Sequence, residues 1–187
     1  MKIYIMGEVG VGKSHAIDYL EQKGFPVYKD PVIELSEEFL SGDDSLVIQT
    51  AVATSLYNTA VMNGDGVYDS CLIQSLQFVH SNYHLRFINE YHYDMLLKVY
   101  NALMEISHTN GDVYIYLDKP KEDIEQQIIN RGRLYEQDNP FIKYTNEWIR
   151  ENLIGEANKR DFTIRVVDVS ENYDQLEELI SSLLGGN

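Results

Sequence analysis

The chain has little cysteine, little basic charge and no long apolar run. A single cysteine, Cys71, stands among 187 residues, so no internal disulfide can form and a reducing compartment is expected. Lysine and arginine number 15 against 30 acidic residues, a net charge of −15. Such a surface lacks the cations that displace counterions from nucleic-acid phosphates, and anionic lipid repels it. Neither nucleic acid nor membrane is an expected partner. No apolar stretch reaches the ~20 residues of a bilayer-spanning helix. The start, Met1-Lys2-Ile3-Tyr4-Ile5, runs straight into glycines without the apolar region and small-residue cleavage site of a signal peptide. A cytoplasmic protein is therefore expected. Any anionic substrate demands a local basic site against this acidic background.

The length suits a single domain over residues 1–187, large enough to bury a core without covalent staples. Short runs rich in Val, Ile and Tyr predict strands at Lys2–Met6, Pro26–Lys29, Gly66–Asp69, Val113–Leu117 and Thr163–Val167. Between them, apolar residues at three- and four-residue spacing predict helices over Lys13–Lys23, Asp44–Met62, Cys71–His80, Leu85–His108, Lys121–Asn130, Asn139–Leu153 and Asn172–Leu184. Ser41–Ser45 and Gly185–Asn187 read as loops. Strands alternating with helices imply an α/β fold: three layers, with a five-stranded parallel sheet buried on both faces.

Gly7-Glu8-Val9-Gly10-Val11-Gly12-Lys13-Ser14 matches G-x-x-x-x-G-K-[ST]. The glycines let backbone N–H groups turn inward around a β-phosphate. Lys13 supplies a cation for the outer phosphates, and the Ser14 hydroxyl can ligate Mg²⁺. The helix that follows aims its N-terminus at the same anion. A strand before the motif and a helix after it are the context this reading needs, and they predict a protein that binds ATP or a close relative.

Four further segments extend the pattern. They are Tyr28-Lys29-Asp30-Pro31-Val32, Leu46-Val47-Ile48-Gln49-Thr50, Arg131-Gly132-Arg133-Leu134-Tyr135-Glu136 and Val167-Asp168-Val169-Ser170-Glu171-Asn172-Tyr173. With the phosphate loop they resemble the deoxynucleoside kinase family almost end to end. The resemblance implies a P-loop kinase fold with an arginine-rich LID. It also implies transfer of phosphate from ATP, with Mg²⁺, to the 5′-hydroxyl of a nucleoside in nucleotide salvage. Asp30 takes the place of the family's general base, although Asp before Pro31 also suits a helix N-cap. Gln49 matches a base-reading Gln, with donor and acceptor side by side. Arg131 and Arg133 match arginines that close over the phosphates, where the alternative is a charged turn favoured by the helix dipole. Glu136 matches a carboxylate on the sugar 3′-hydroxyl. Tyr173 can stack on adenine opposite Arg131. The family's dimer helices correspond to Cys71–His80 and Leu85–His108, which implies a homodimer.

The pattern breaks on the nucleoside side. After the third strand the family's acidic-Arg motif reads Asp69-Ser70: Asp69 keeps a carboxylate for Mg²⁺, and Ser70 replaces the arginine. The base-site Arg and Asp align with Leu56 and Ser75, and a further LID-helix Arg with Gln127. Losing a charge pair together points to a rebuilt, less charged pocket. Two other readings stay open: a nucleoside monophosphate kinase, and a nucleotide-binding protein with little or no kinase activity. His80 and His84 are expected to be surface or interface histidines, the aromatics of Tyr91-His92-Tyr93 core or dimer contacts, and Cys71 a small buried hydrophobe.

Overall fold

The computed structural model describes residues 1–31, 45–131 and 139–185. Among these the strands are β1 (Lys2–Met6), β2 (Val27–Tyr28), β3 (Gly66–Asp69), β4 (Val113–Asp118) and β5 (Thr163–Asp168). The helices are α1 (Lys13–Gln22), α2 (Ser45–Met62), α3 (Leu72–His84), α4 (Glu90–Ser107), α5 (Lys121–Asn130), α6 (Pro140–Asn158) and α7 (Asp174–Leu184). The sheet is parallel throughout, in the order β2-β3-β1-β4-β5.

Alternation along the central strands gives the two faces different chemistry. Ile3 and Ile5 of β1, with Val113, Ile115 and Leu117 of β4, point to an aliphatic face that packs on residues of α1, α5 and α7. Tyr4 and Met6, with Tyr68, Tyr114 and Tyr116, point to the other face, which packs on α2, α3, α4 and α6. Tyr28, Tyr68, Tyr4, Tyr114 and Phe162 form a continuous run of ring contacts there, with centroids 4.6–5.2 Å apart. The result is the three-layer α/β fold with a five-stranded parallel sheet. Ile3, Ile5, Ile115 and Leu117 have no exposed surface, and each adds about 2–3 kcal/mol of burial free energy.

Several boundaries differ from those the sequence predicts, each for a local reason. β2 is only two residues long, since Pro26 brings no N–H to a ladder. β1, β3 and β4 are buried on both faces, but β5 is an edge strand with Thr163, Arg165 and Val166 exposed. α3 continues past His80 to His84, and α4 starts at Glu90, not Leu85. Arg86 breaks the path at φ 63°, and Asn89 caps α4 by accepting from His92 N–H at 2.9 Å. α6 runs through Gly155 because Ala157 beyond it is buried. That packing outweighs the ~1 kcal/mol a glycine costs a helix. His80 is not a surface residue: it is buried among α3, α4 and α6, with Nδ1 2.8 Å from the Tyr93 hydroxyl. Cys71 is buried at the start of α3, as expected of a small hydrophobe.

Candidate functional site

Gly7–Ser14 leave the carboxyl end of β1, a central strand, and enter α1. Ligands of parallel sheets collect at such ends. The first-turn N–H groups of α1 have no partner within the helix, so they are free to meet an anion. Two glycines are required by geometry. At Gly10 (φ 91°) a Cβ would lie 2.6 Å from Ile128 Cγ1, and at Gly12 (φ 108°) 2.8 Å from the Tyr173 hydroxyl. Lys13 Nζ donates to the carbonyls of Gly7 and Glu8 at 2.9 and 3.0 Å, while Ser14 is exposed.

The loop is held from outside by residues that its own motif does not announce. Gln74 of α3 accepts from Gly7 N–H at 3.0 Å. Asn146 of α6 accepts from Val9 N–H at 2.8 Å and donates to Val9 C=O at 2.9 Å. Glu8, 2% exposed, turns its carboxylate to Arg150 of α6. The guanidinium donates through Nε at 3.2 Å and Nη2 at 2.7 Å, and the Tyr116 hydroxyl donates at 3.3 Å. Thus Glu8 and Val9, read from the motif as phosphate-loop residues, are engaged by α6. Tyr173 donates to Gly12 C=O at 3.2 Å and packs its ring on Tyr19, so the residue expected at an adenine also braces the phosphate loop.

Around Lys13 the structure gathers the acids and the arginine that the sequence singled out. Burial pushes the Lys13 ammonium down to about 8; the carboxylates of Asp69 and Asp30 oppose that shift and Arg131 adds to it. Asp69 ends β3 and is buried, which raises its carboxyl pKa, while Lys13 and the backbone N–H of Asp30 work the other way. Asp30 lies two residues beyond the end of β2, and its neighbour Lys29 is tied to α1 through Asp18 at 3.2 Å and Glu21 at 2.9 Å. Arg131 caps α5. Arg133 and Glu136 lie outside the described residues.

Leu56, Asp69, Ser70 and Pro31, which the family resemblance assigns to the nucleoside side or its borders, line one small cavity of about 20 Å³. Ser70, the residue at the lost arginine position, has φ 106°, a left-handed backbone that costs a serine about 1–3 kcal/mol. Such strain collects at functional sites. Gln49 is half-buried on α2 and Ser75 is buried on α3. A divalent ion fits here. Mg²⁺ is commonly held by one or two protein oxygens plus phosphate and water, and the Ser14 hydroxyl and Asp69 carboxyl are of that kind. Among the described residues no cluster of three or more His, Cys, Asp or Glu could hold a metal by itself.

A family model described as deoxynucleoside kinase matches residues 3–184. Solved structures of deoxyadenosine kinase from M. mycoides share 25% identity with this chain. The one with the products dCMP and a flexible dCDP bound aligns at a TM-score of 0.77, covering 100% of this chain and 99% of that one. Those with dATP and dCTP bound align at 0.75 and 0.76, covering 99% and 100% of this chain and all of theirs. No curated protein matches the chain significantly in sequence. No helix among the described residues is long and apolar enough to cross a membrane. The phosphate loop on β1, its place in the five-stranded parallel sheet and the end-to-end family match lead to one conclusion: the chain is a nucleoside kinase and belongs to the deoxynucleoside kinase family.

Proposed function

We propose that residues 1–187 act as a single domain that transfers the γ-phosphoryl group of ATP to the 5′-hydroxyl of a deoxynucleoside, in nucleotide salvage. The observation that carries this reading is the convergence of Lys13, Asp30 and Asp69, from three neighbouring elements, at the carboxyl edge of the sheet. A protein that only senses ATP needs the lysine and one carboxylate for Mg²⁺; it needs neither a second carboxylate at Asp30 nor Glu136.

Asp30 takes the proton of the 5′-hydroxyl as the oxygen attacks the γ-phosphorus, and the bond to the β–γ bridging oxygen breaks to release ADP. Gly7, Gly10, Gly12 and the α1 N-terminus cradle the phosphates, with Glu8, Val9 and Val11 giving the loop its shape. Lys13, Arg131 and Arg133 offset charge on the group in transfer. Ser14 and Asp69 hold Mg²⁺, directly or through water; when bound it neutralises phosphate oxygens. Gln49 meets the nucleobase, Glu136 the sugar, and Tyr173 borders the adenine of ATP. Glycines and a lysine set on a rigid strand end align the donor, which is most of what phosphoryl transfer needs from a protein.

The reading includes a homodimer through α3 and α4. Tyr91, Met95 and Ile106 are exposed at helical spacing along α4, a face suited to a second copy. A single buried cysteine suits the cytoplasm. The test is transfer from labelled ATP with Mg²⁺ to a panel of nucleosides and monophosphates. Label on a nucleoside 5′-position, lost in Lys13→Ala and reduced about 10²–10⁴-fold in Asp30→Ala, supports the reading. Label on monophosphates alone, or full activity in Asp30→Ala, refutes it. A monomer by light scattering at micromolar concentration refutes the dimer.

A further inference from the structure

Leu56 and Ser75 stand where the family resemblance implies a charged base-reading pair, and the structure shows what occupies that space. Leu56 is buried in the core. Ser75, also buried, sets its Oγ 2.8 Å from the hydroxyl of Tyr100. Tyr100 has no exposed surface. It sits on α4, and its Oη is 3.4 Å from both the main-chain oxygen and the Oε1 of Gln49 on α2. Three helices therefore meet on one phenol.

At Gln49 both oxygens near the phenol accept, so Tyr100 meets them as the donor. Between Ser75 and Tyr100 either hydroxyl can donate, and a serine that donates leaves the phenol proton for Gln49. Burial raises the Tyr100 pKa above the ordinary phenol range, so the proton stays in place. An unanchored carboxamide can turn over and present its donor and acceptor in either order. With Oε1 held by Tyr100, one order is selected, and Nε2 keeps both protons for a partner.

We propose that Tyr100 is a positioning residue that sets base specificity. By fixing the Gln49 carboxamide it decides between two classes of nucleobase edge. In adenine and cytosine an amino group lies beside a ring acceptor; in guanine and thymine a ring N–H lies beside a carbonyl. The inference rests on the nucleoside-kinase reading of Gln49, and it deepens that reading by assigning the discrimination to a residue that does not touch the base.

Tyr100→Phe keeps the ring in its packed position and removes only the hydroxyl. Steady-state phosphorylation of the four deoxynucleosides is measured for wild type, Tyr100→Phe and Ser75→Ala, with thermal unfolding alongside. In Tyr100→Phe the kcat/KM ratio between the preferred and the poorer edge class is expected to fall about three- to tenfold, the scale of one neutral hydrogen bond. The change should come through nucleoside KM, with kcat and ATP KM unchanged. Ser75→Ala should shift the ratio the same way by less, and it decides alone if Tyr100→Phe fails to fold. An unchanged ratio, an equal loss on all four nucleosides, or a wild type with no preference between the classes overturns the inference. A wild type that phosphorylates no nucleoside overturns the underlying reading with it, and that outcome is visible before any variant is compared.

Discussion

Removing the arginine that closes on the phosphate loop is the sharpest test of how that loop is held. Arg150→Ala leaves the Glu8 carboxylate, whose side chain is 3% exposed, with Tyr116 as its remaining hydrogen-bond donor among the described residues. Breaking a fully buried ion pair by deleting one partner costs about 3–5 kcal/mol. The Arg150 side chain is 36% exposed, so solvent screens part of the pair and about 2–3 kcal/mol is the working figure. At about 2–4 °C per kcal/mol for a chain of this size, Tm should fall roughly 4–12 °C. The ATP KM should rise as well, since Glu8 and Val9 carry the loop, while the nucleoside KM stays near wild type. The double variant Glu8→Gln with Arg150→Ala replaces the stranded charge with a neutral amide and should recover at least half the lost stability. Scanning fluorimetry and initial-rate kinetics on the three proteins suffice. If Arg150→Ala melts within about 1 °C of wild type, or the double variant is no better than the single, the clamp is not what holds the loop.

Other perturbations should act as follows. Desolvation holds the Lys13 ammonium down to about 8 in the folded chain, below its ordinary 10.5. Its own contribution to folding stability therefore rises with pH between those values, while its hold on phosphate weakens above about 8. If only the protonated form binds, the ATP Kd should increase about tenfold between pH 7 and 9. Titration calorimetry should show a flat profile for Lys13→Arg, and the same slope in both proteins would refute the assignment. Gly10→Ala puts a methyl 2.6 Å from Ile128 Cγ1 at φ 91°, so Tm should drop by several degrees and ATP KM rise about tenfold or more; unchanged kinetics would show that the loop shifts freely. Tyr173→Phe deletes a 3.2 Å bond to Gly12 C=O. It should raise the ATP KM about two- to tenfold and spare the nucleoside KM, and equal effects on both would point to general loosening.

The phosphate loop and its supporting strand and helix were legible in the sequence because their signals are local: glycine spacing, an adjacent lysine, an apolar run on each side. The layered α/β fold was legible for the same reason, since β1, β3 and β4 are buried on both faces and read as continuous apolar runs. Boundaries that depend on tertiary packing were not. α6 passes through Gly155 because Ala157 is buried, and His80 is buried among aromatic rings of other helices. The loop's outer supports were invisible for a related reason. Gln74, Asn146 and Arg150 lie 67, 137 and 142 positions from the residues they hold, and each looks like an ordinary polar residue on a helix. The lost charges at Leu56 and Ser75 were visible as departures from the family. The phenol that fills their place was not, because Tyr100 comes from a different helix and reads as core.

The clamp on the phosphate loop shares its helix with the only tryptophan in the chain, Trp148. The indole donates to Gln77 at 2.9 Å and lies 4.7 Å from the His84 ring, so it bridges α6 to α3, the two helices that supply Asn146, Arg150 and Gln74. Its emission therefore reports from a single place. Any rearrangement of α6 against α3 alters the polarity around that one ring, and the protein carries, without a label, an optical gauge of the scaffold beneath its phosphate loop.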